Sequence, residues 1–296
     1  MEHLLNIEPL SVEQINQIYN RASEFERGVR VSNHSKAHVV NIFFENSTRT
    51  KMSFEMAQTR IGANRYDFCL DSSSINKGED LFDTINNLSA IGMNVVVMRH
   101  SDNILINQLA KKTYFENVSF VNAGSGTYSH PTQALLDFYT LKKHFMDISD
   151  KTIVIVGDIA HSRVAKSNIA LLKKFGTKIR CLAPECFMGN KIEGVEYFTN
   201  LIEAFDNVDI IMALRIQKER IMGEIDFENY IKNYQITLKN LPKSAILMHP
   251  GPVNKNIEIK SDVLNSQGAK IILEQAKNGV FIRMAVLDMI LSAQGL

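Results

Sequence analysis

The sequence predicts an α/β protein of two doubly wound domains, each a mostly parallel sheet flanked by helices, joined by interdomain helices. Three observations predict it. Short apolar runs rich in Val and Ile alternate with longer segments whose apolar residues recur at helical spacing. Polar and cationic residues follow most of these runs, where open parallel sheets bind their ligands. A length of 296 residues also suits two ordinary domains better than one large one.

The first element is a helix. Ser11 with Gln14 makes a capping-box pattern, and Ile15, Ile18, Ala22 and Phe25 then mark one apolar stripe. Seven strand-like runs follow at 39–44, 95–98, 118–121, 153–156, 179–182, 208–214 and 245–248. The first leads into Glu45-Asn46-Ser47-Thr48-Arg49-Thr50, and the second ends on Arg99-His100. A Gly/Ser-rich loop and His130-Pro131 follow the third, and Gly157-Asp158 with Arg163 the fourth. Arg215 follows the sixth and His249-Pro250 the seventh. After the first run, Met52, Met56 and Ile61 are apolar positions of a helix that ends near Gly62. Segment 131–145 predicts a helix with Pro at its first position and Ala134, Leu135, Phe138 and Leu141 inward. The domain junction is placed there. Asn278-Gly279 predicts a turn, followed by a last helix over 280–291.

Composition narrows the function. Hydrophobic residues are 45% and charged residues 22%, so the chain can bury a core without staples. Lys plus Arg number 33 against 32 Asp plus Glu, which gives no bulk field for nucleic acid or an anionic membrane. Anions must be held by local groups. The three cysteines, Cys69, Cys181 and Cys186, lack C-x-x-C spacing and a His cluster, which argues for reduced thiols and against a metal site. The twelve Met read as core filler. No basic leader with an apolar run is seen, and no stretch reaches the length of a membrane span, so a cytoplasmic protein without a membrane partner is expected.

Ser47-Thr48-Arg49-Thr50 stands between a buried strand and a helix. A helix N-terminus offers unpaired N–H groups and the positive end of the dipole. Three hydroxyls add donors, and the Arg49 fork suits phosphate oxygens. On these residues alone, phosphate binding and simple capping by Ser47 or Thr48 are equal readings. A Walker loop is excluded, because G-x-x-x-x-G-K-[ST] is absent.

Phe44-x-x-Ser47-Thr48-Arg49-Thr50 resembles the carbamoyl-phosphate motif of the transcarbamoylase family, and His130-Pro131-Thr132-Gln133 resembles its second signature. Further matches run in the same order along nearly the whole chain. The similarity is to the aspartate branch, through Leu214-Arg215-Ile216-Gln217-Lys218-Glu219-Arg220, segment 73–77 and His249-Pro250-Gly251-Pro252. The His-Cys-Leu-Pro and Asp with Ser-Met elements of an ornithine-specific member are absent. The chemistry agrees. Aspartate brings two carboxylates, for which Arg163 and Arg215 are available, whereas ornithine needs an acid for its ammonium.

The resemblance implies a cytoplasmic transferase without cofactor or metal, joining carbamoyl phosphate to L-aspartate in the second step of de novo pyrimidine synthesis. It implies a carbamoyl-phosphate-binding domain over 1–132, with a C-terminal helix 280–296 packing back on it, and an aspartate-binding domain over 133–279. Ser47, Thr48, Arg49 and Thr50 would hold the phosphate. Arg99 and His130, with Thr50, would reach the carbonyl oxygen, and Gln133 the carbamoyl amide. Arg163, Arg215 and Gln217 would grip the aspartate carboxylates, and backbone at Gly251 and Pro252 would accept from the carbamoyl nitrogen. Some relatives carry a bulkier residue at Gly251, a change expected to leave a backbone contact intact. Ser73 and Lys77 would lie on a loop that enters a neighbouring subunit's site, which implies a homotrimer with shared sites. Lys77 would serve both catalysis and aspartate binding. Attachment of a regulatory chain is left open.

Blander readings apply to several of these residues. Asp158 reads as a structural acid, pairing with an Arg or capping a helix, ahead of a catalytic base. Lys218, Glu219 and Arg220 read as a structural charge cluster. A dinucleotide-binding dehydrogenase is the competing enzyme class, but the segment 152–158 lacks G-x-G-x-x-G. A non-catalytic homologue would be expected to have lost basic site residues, and they are present.

Overall fold

The computed structural model describes residues 1–30, 32–69, 78–111, 118–217, 226–266 and 270–296. Ser73, Lys77, Lys218, Glu219 and Arg220 therefore lie outside the described residues. The chain forms two compact units, Met1–Leu136 with Ala276–Leu296, and Asp137–Gln275.

The first unit opens with α1 (Val12–Glu26), whose capping box closes as expected. The Ser11 hydroxyl accepts from the Gln14 N–H at 3.2 Å, and the Gln14 side chain accepts from the Ser11 N–H at 2.9 Å. Its buried residues are Ile15, Ile18, Ala22 and Phe25. There follow β1 (His38–Phe43), α2 (Thr48–Arg60), β2 (Asn64–Asp67), α3 (Leu81–Ala90), β3 (Val95–His100), α4 (Leu105–Ala110) and β4 (Ser119–Ser125). The sheet is parallel, in the order β2-β1-β3-β4. Val40, Ile42, Val96, Met98 and Phe120 of β1, β3 and β4 pack with Ile85, Ile106 and Leu109 of α3 and α4. Fully buried apolar strands of this kind require helices to cover them.

The second unit contains β5 (Thr152–Val156), α6 (Arg163–Lys174), β6 (Lys178–Leu182), α7 (Glu185–Met188), β7 (Val195–Phe198), α8 (Leu201–Ala204), β8 (Ile210–Ala213), α9 (Phe227–Tyr234), β9 (Ile246–Met248) and α10 (Ser261–Leu264). Its parallel sheet runs β7-β6-β5-β8-β9. Two helices, α5 (Pro131–His144) and α11 (Lys270–Ala293), span the division between the units. No helix among the described residues is long and apolar enough to cross a membrane.

Three local expectations need correction. Met52 and Met56 face outward on α2, which instead buries Phe54, Ala57 and Gln58. Gln58 explains the choice of face: it exchanges two side-chain hydrogen bonds with Asn41 of β1, at 2.8 and 3.1 Å. A buried, mutually satisfied amide pair fixes the rotation of the helix better than exposed thioethers do. Asn278-Gly279 is no turn but lies inside α11, with Asn278 fully buried. Glycine is needed there for close approach, since a Cβ would stand 2.5 Å from Arg283 Nη1 and 3.1 Å from Leu136. Finally, β2 and β7 had no apolar run to announce them. Each lies at one edge of its sheet, and every residue of β2 is exposed.

Candidate active site

In the first unit, β1 delivers the chain through residues 44–47 to the start of α2. Ser47 is the N-cap residue, yet its side chain makes no capping hydrogen bond, and no acid occupies the first turn. The simple capping role for Ser47 is therefore not what the geometry displays. Thr48 and Arg49 are exposed and Thr50 is buried. An uncapped helix start carrying hydroxyls and an Arg is a site suited to an anion.

Sheet register places Arg99. Phe43 pairs with Arg99 across β1 and β3, and the Phe44 N–H donates to the Arg99 carbonyl at 2.9 Å. The Arg99 side chain then lies at the α2 end of the sheet, where its Nη1 donates to the Ala123 carbonyl at 3.3 Å. Its Nε stands 3.2 Å from Glu45 Oε2. Glu45 was not singled out by the sequence, although an acid between a buried strand and a cationic motif was the available signal. The His100 ring meets Phe44 edge-on at 4.7 Å. Burial lowers its pKa, against the charges of Asp102 and Glu45.

β4 lies next to β3, and Ser125 and Ser129 exchange backbone bonds at its end, at 2.9 and 3.2 Å. This turn brings buried His130 back to the sheet, and α5 begins at Pro131. Gln133, also buried, donates its N–H to the His130 carbonyl at 3.1 Å. The first unit thus gathers Ser47, Thr48, Arg49, Thr50, Arg99, His130 and Gln133 at the carboxyl ends of three neighbouring strands. Arg283 of α11, another residue the sequence did not single out, braces this set. Its Nη1 donates to Ser53 Oγ of α2 at 2.9 Å, and its Nη2 reaches Thr132 Oγ1 of α5 at 3.4 Å.

In the second unit, β5 ends at Gly157 and Asp158, and Ser162 caps α6 by accepting from the Ala165 N–H at 3.1 Å. Arg163 is the first residue of that helix and is buried. Among the described residues Asp158 pairs neither with Arg nor as a helix cap. Its Oδ1 accepts from the His161 N–H at 3.2 Å and faces His161 Nδ1 at 2.8 Å. Arg215 and Gln217 follow β8, and Gln217 Nε2 donates to the His161 carbonyl at 3.0 Å. Between them, the Ile216 N–H donates to Glu258 Oε1 at 2.8 Å, and Asn254 Nδ2 reaches the Ile216 carbonyl at 3.3 Å. Glu258 is buried, and burial pushes its carboxyl above the ordinary glutamate value despite the donors from Ile216 and Asn254.

The loop after β9 carries Gly251 and Pro252, joined by a cis peptide bond. The Gly251 N–H donates to His249 Nδ1 at 2.7 Å, and the His249 N–H donates to Gln275 Oε1 at 3.0 Å. Gln275 and Asn168 in turn donate to the two oxygens of buried Asp137, at 2.7 and 2.9 Å. This unit thus places Arg163, Arg215, Gln217 and Gly251 after β5, β8 and β9, which are adjacent strands.

Cations, hydroxyls and helix starts at the carboxyl ends of two successive parallel sheets define a two-unit α/β enzyme for anionic substrates. Comparison with known proteins makes that class specific. Residues 2–143 match the family model described as the aspartate/ornithine carbamoyltransferase carbamoyl-P binding domain, and residues 149–290 match the Asp/Orn binding domain of the same family. The chain is 39% identical to the aspartate carbamoyltransferase catalytic subunit of Streptococcus uberis, covering 99% of this chain and 96% of the relative. It is 41% identical to that of Flavobacterium psychrophilum, covering 99% and 97%. The aspartate transcarbamoylase catalytic subunit of M. jannaschii superposes with a TM-score of 0.86 at 29% identity, over 100% of this chain and 99% of the other. The chain belongs to the aspartate/ornithine carbamoyltransferase family.

Proposed function

We propose that this chain transfers the carbamoyl group of carbamoyl phosphate to the α-amine of L-aspartate, giving N-carbamoyl-L-aspartate and phosphate, the second step of de novo pyrimidine synthesis. The observation that carries the reading is the Phe43–Arg99 register, which aligns Arg99 with the uncapped Ser47–Thr50 helix start. The aspartate transcarbamoylase of Trypanosoma cruzi, similar in fold at a TM-score of 0.84 and 28% identity, has been solved with carbamoyl phosphate and aspartate bound. That supports the choice of substrates.

Ser47, Thr48, Arg49 and Thr50 hold the phosphate, and Gln133 orients the carbamoyl amide. Backbone carbonyls at Gly251 and Pro252 accept from the carbamoyl nitrogen. Arg163, Arg215 and Gln217 bind the aspartate carboxylates. The amine nitrogen attacks the carbonyl carbon, and Thr50, Arg99 and His130 stabilise the oxyanion of the tetrahedral intermediate. Collapse breaks the bond from carbon to the phosphate oxygen, and the departing phosphate takes the amine proton. Arg49 and Arg99 stabilise its growing charge. The Glu45 contact holds Arg99 at the sheet end before substrate arrives. By this reading the first unit, with the α11 segment from Ala276, is the carbamoyl-phosphate domain, and the second is the aspartate domain.

The deciding experiment is a transfer assay with purified protein, offering aspartate and ornithine separately. Carbamoyl-aspartate alone is the expected product. Carbamoyl-ornithine would overturn the roles given to Arg163, Arg215 and Gln217, and no product from either acceptor would sink the activity.

The same reading makes the working form a cytoplasmic homotrimer, with Ser73 and Lys77 entering a neighbour's site. Closed cyclic symmetry allows such sharing at every interface. Arg49→Ala and Lys77→Ala chains are each expected to be nearly inactive, and mixed trimers to regain activity at sites that receive both intact residues. No recovery after verified subunit exchange would establish self-contained sites.

A further inference from the structure

Among the described residues of the second unit, the buried oxygens without a hydrogen-bond partner include Oδ2 of Asp158, Oε2 of Glu258 and Oη of Tyr230. Their residues are exposed by 0%, 1% and 3%. Both carboxylates are already engaged through the other oxygen. Asp158 Oδ1 holds His161, and Glu258 Oε1 accepts from the Ile216 N–H and from Asn254 Nδ2 at 2.7 Å. Tyr230 comes from α9, and its ring stacks on Tyr234 at 5.4 Å. Its hydroxyl reaches the end of β5, because a Cβ added at Gly157 would stand 3.3 Å from it and 3.1 Å from the Leu214 carbonyl. Burial first, then the charges of Glu258 and Asp158, push the phenol well above its ordinary value. Tyr230 therefore keeps its proton and is a donor at the end of β5, beside Gly157 and one residue from Asp158.

Buried polar groups left unpartnered are costly, and where protein groups do not meet directly an internal water commonly joins them. We propose that Tyr230, Asp158 and Glu258 form one polar node closed by an internal water, and that Tyr230 is through it a positioning residue for Arg215 and Gln217. The water accepts from Tyr230 Oη and donates one proton to each free carboxylate oxygen, which satisfies all three. The node reaches the site by two arms. Glu258 holds the Ile216 N–H, between Arg215 and Gln217. Asp158 holds His161, whose carbonyl receives the Gln217 amide. The inference rests on the assignment of Arg215 and Gln217 to aspartate.

Tyr230→Phe removes one oxygen and keeps the ring. The aspartate KM is expected to rise about tenfold, with kcat and the carbamoyl-phosphate KM within about twofold, since positioning of the acceptor alone is disturbed. In the same variant the Ile216 amide should exchange with solvent hydrogen about tenfold faster, as its acceptor loses support. Glu258→Gln, tested alongside, should raise the aspartate KM too, and the double variant should cost less than the product of the singles. An unchanged aspartate KM, or a loss of melting temperature alone, would overturn the positioning role. Should the wild-type protein fail to carbamoylate aspartate, the functional reading fails separately. Exchange at Ile216 then still decides whether the node exists, and an unchanged rate would remove it.

Discussion

Each unit buries a carboxylate that matters, and the two are treated in opposite ways. Asp288 of α11 is saturated. It accepts from Arg21 Nη1 at 2.7 Å, Arg30 Nε at 3.0 Å and Ser32 Oγ, and it faces His34 Nε2 at 2.8 Å. Burial alone would raise its pKa, but His34, Ser32, Arg30 and Arg21 together bring it below the ordinary aspartate value. Glu258 has two neutral donors on one oxygen, none on the other, and a raised pKa. The contrast separates two uses of buried charge. A carboxylate matched by cations ties α11 to residues 21–34 and serves the fold. A carboxylate left short of donors stands behind residues assigned to a substrate, where a polar node can hold a backbone segment without fixing the side chains that bind.

The sharpest way to break the comparison is Asp288→Asn. The variant keeps the shape and removes the charge that two arginines and His34 share, and loss of one member of a buried ion pair costs roughly 3–5 kcal/mol. Because Arg21 and Arg30 are 27% and 31% exposed, the lower end applies, about 3 kcal/mol. Chemical denaturation should read that loss while the aspartate KM stays at the wild-type value. Unchanged stability would mean that saturation of Asp288 does not serve the fold.

A smaller effect is expected from Arg283→Met, which tests whether a buried cation of the first unit can also serve a site. Arg283 donates to Ser53, Thr132 and the Gly279 carbonyl, and lies over the Phe54 ring at 4.9 Å. Met restores much of the apolar stem but leaves the acceptors on α2 and α5 unanswered, at a cost of about 1–3 kcal/mol. Since α2 carries Ser47–Thr50 at its start, the carbamoyl-phosphate KM should rise several-fold with the aspartate KM little changed. Equal effects on both substrates would assign Arg283 to general stability.

The sequence was most legible where burial is one-sided and periodic. All seven apolar runs are strands, because strands buried by covering helices are apolar almost throughout. Asn64–Asp67 and Val195–Phe198 escaped notice because these outer strands stay exposed or half-exposed, and such a strand needs backbone partners but no apolar run. The motif residues of the site stood out because packing alone seldom places hydroxyls and cations together after a buried run. Glu45, Arg283, Tyr230 and Glu258 did not, because each takes its meaning from a partner that only tertiary packing supplies. Glu258 lies in Asn256-Ile257-Glu258-Ile259-Lys260, an alternation that reads as a surface strand, and its burial against Ile216 has no local signature.

The smallest effect is the response to pH, and here the two carboxylates must differ in sign. The Asp288 pKa is depressed in the folded state, so its contribution is fully present above the unfolded value near 3.8 and is lost as pH falls through the lower folded value. Glu258 does the reverse. Its folded pKa lies above the unfolded value near 4.5, so between the two the folded state holds a proton that the unfolded chain has released. Stability therefore declines as pH rises through that window and stays lower beyond it. Denaturation midpoints of the wild-type protein and Glu258→Gln, followed from about pH 4 to pH 8, isolate this term. The variant should gain on the wild type as pH rises, whereas Asp288→Asn should lose most of its deficit only at the acid end. A wild-type minus Glu258→Gln difference that is flat, or that grows with pH in favour of the wild type, would show that Glu258 is satisfied by contacts the node does not need.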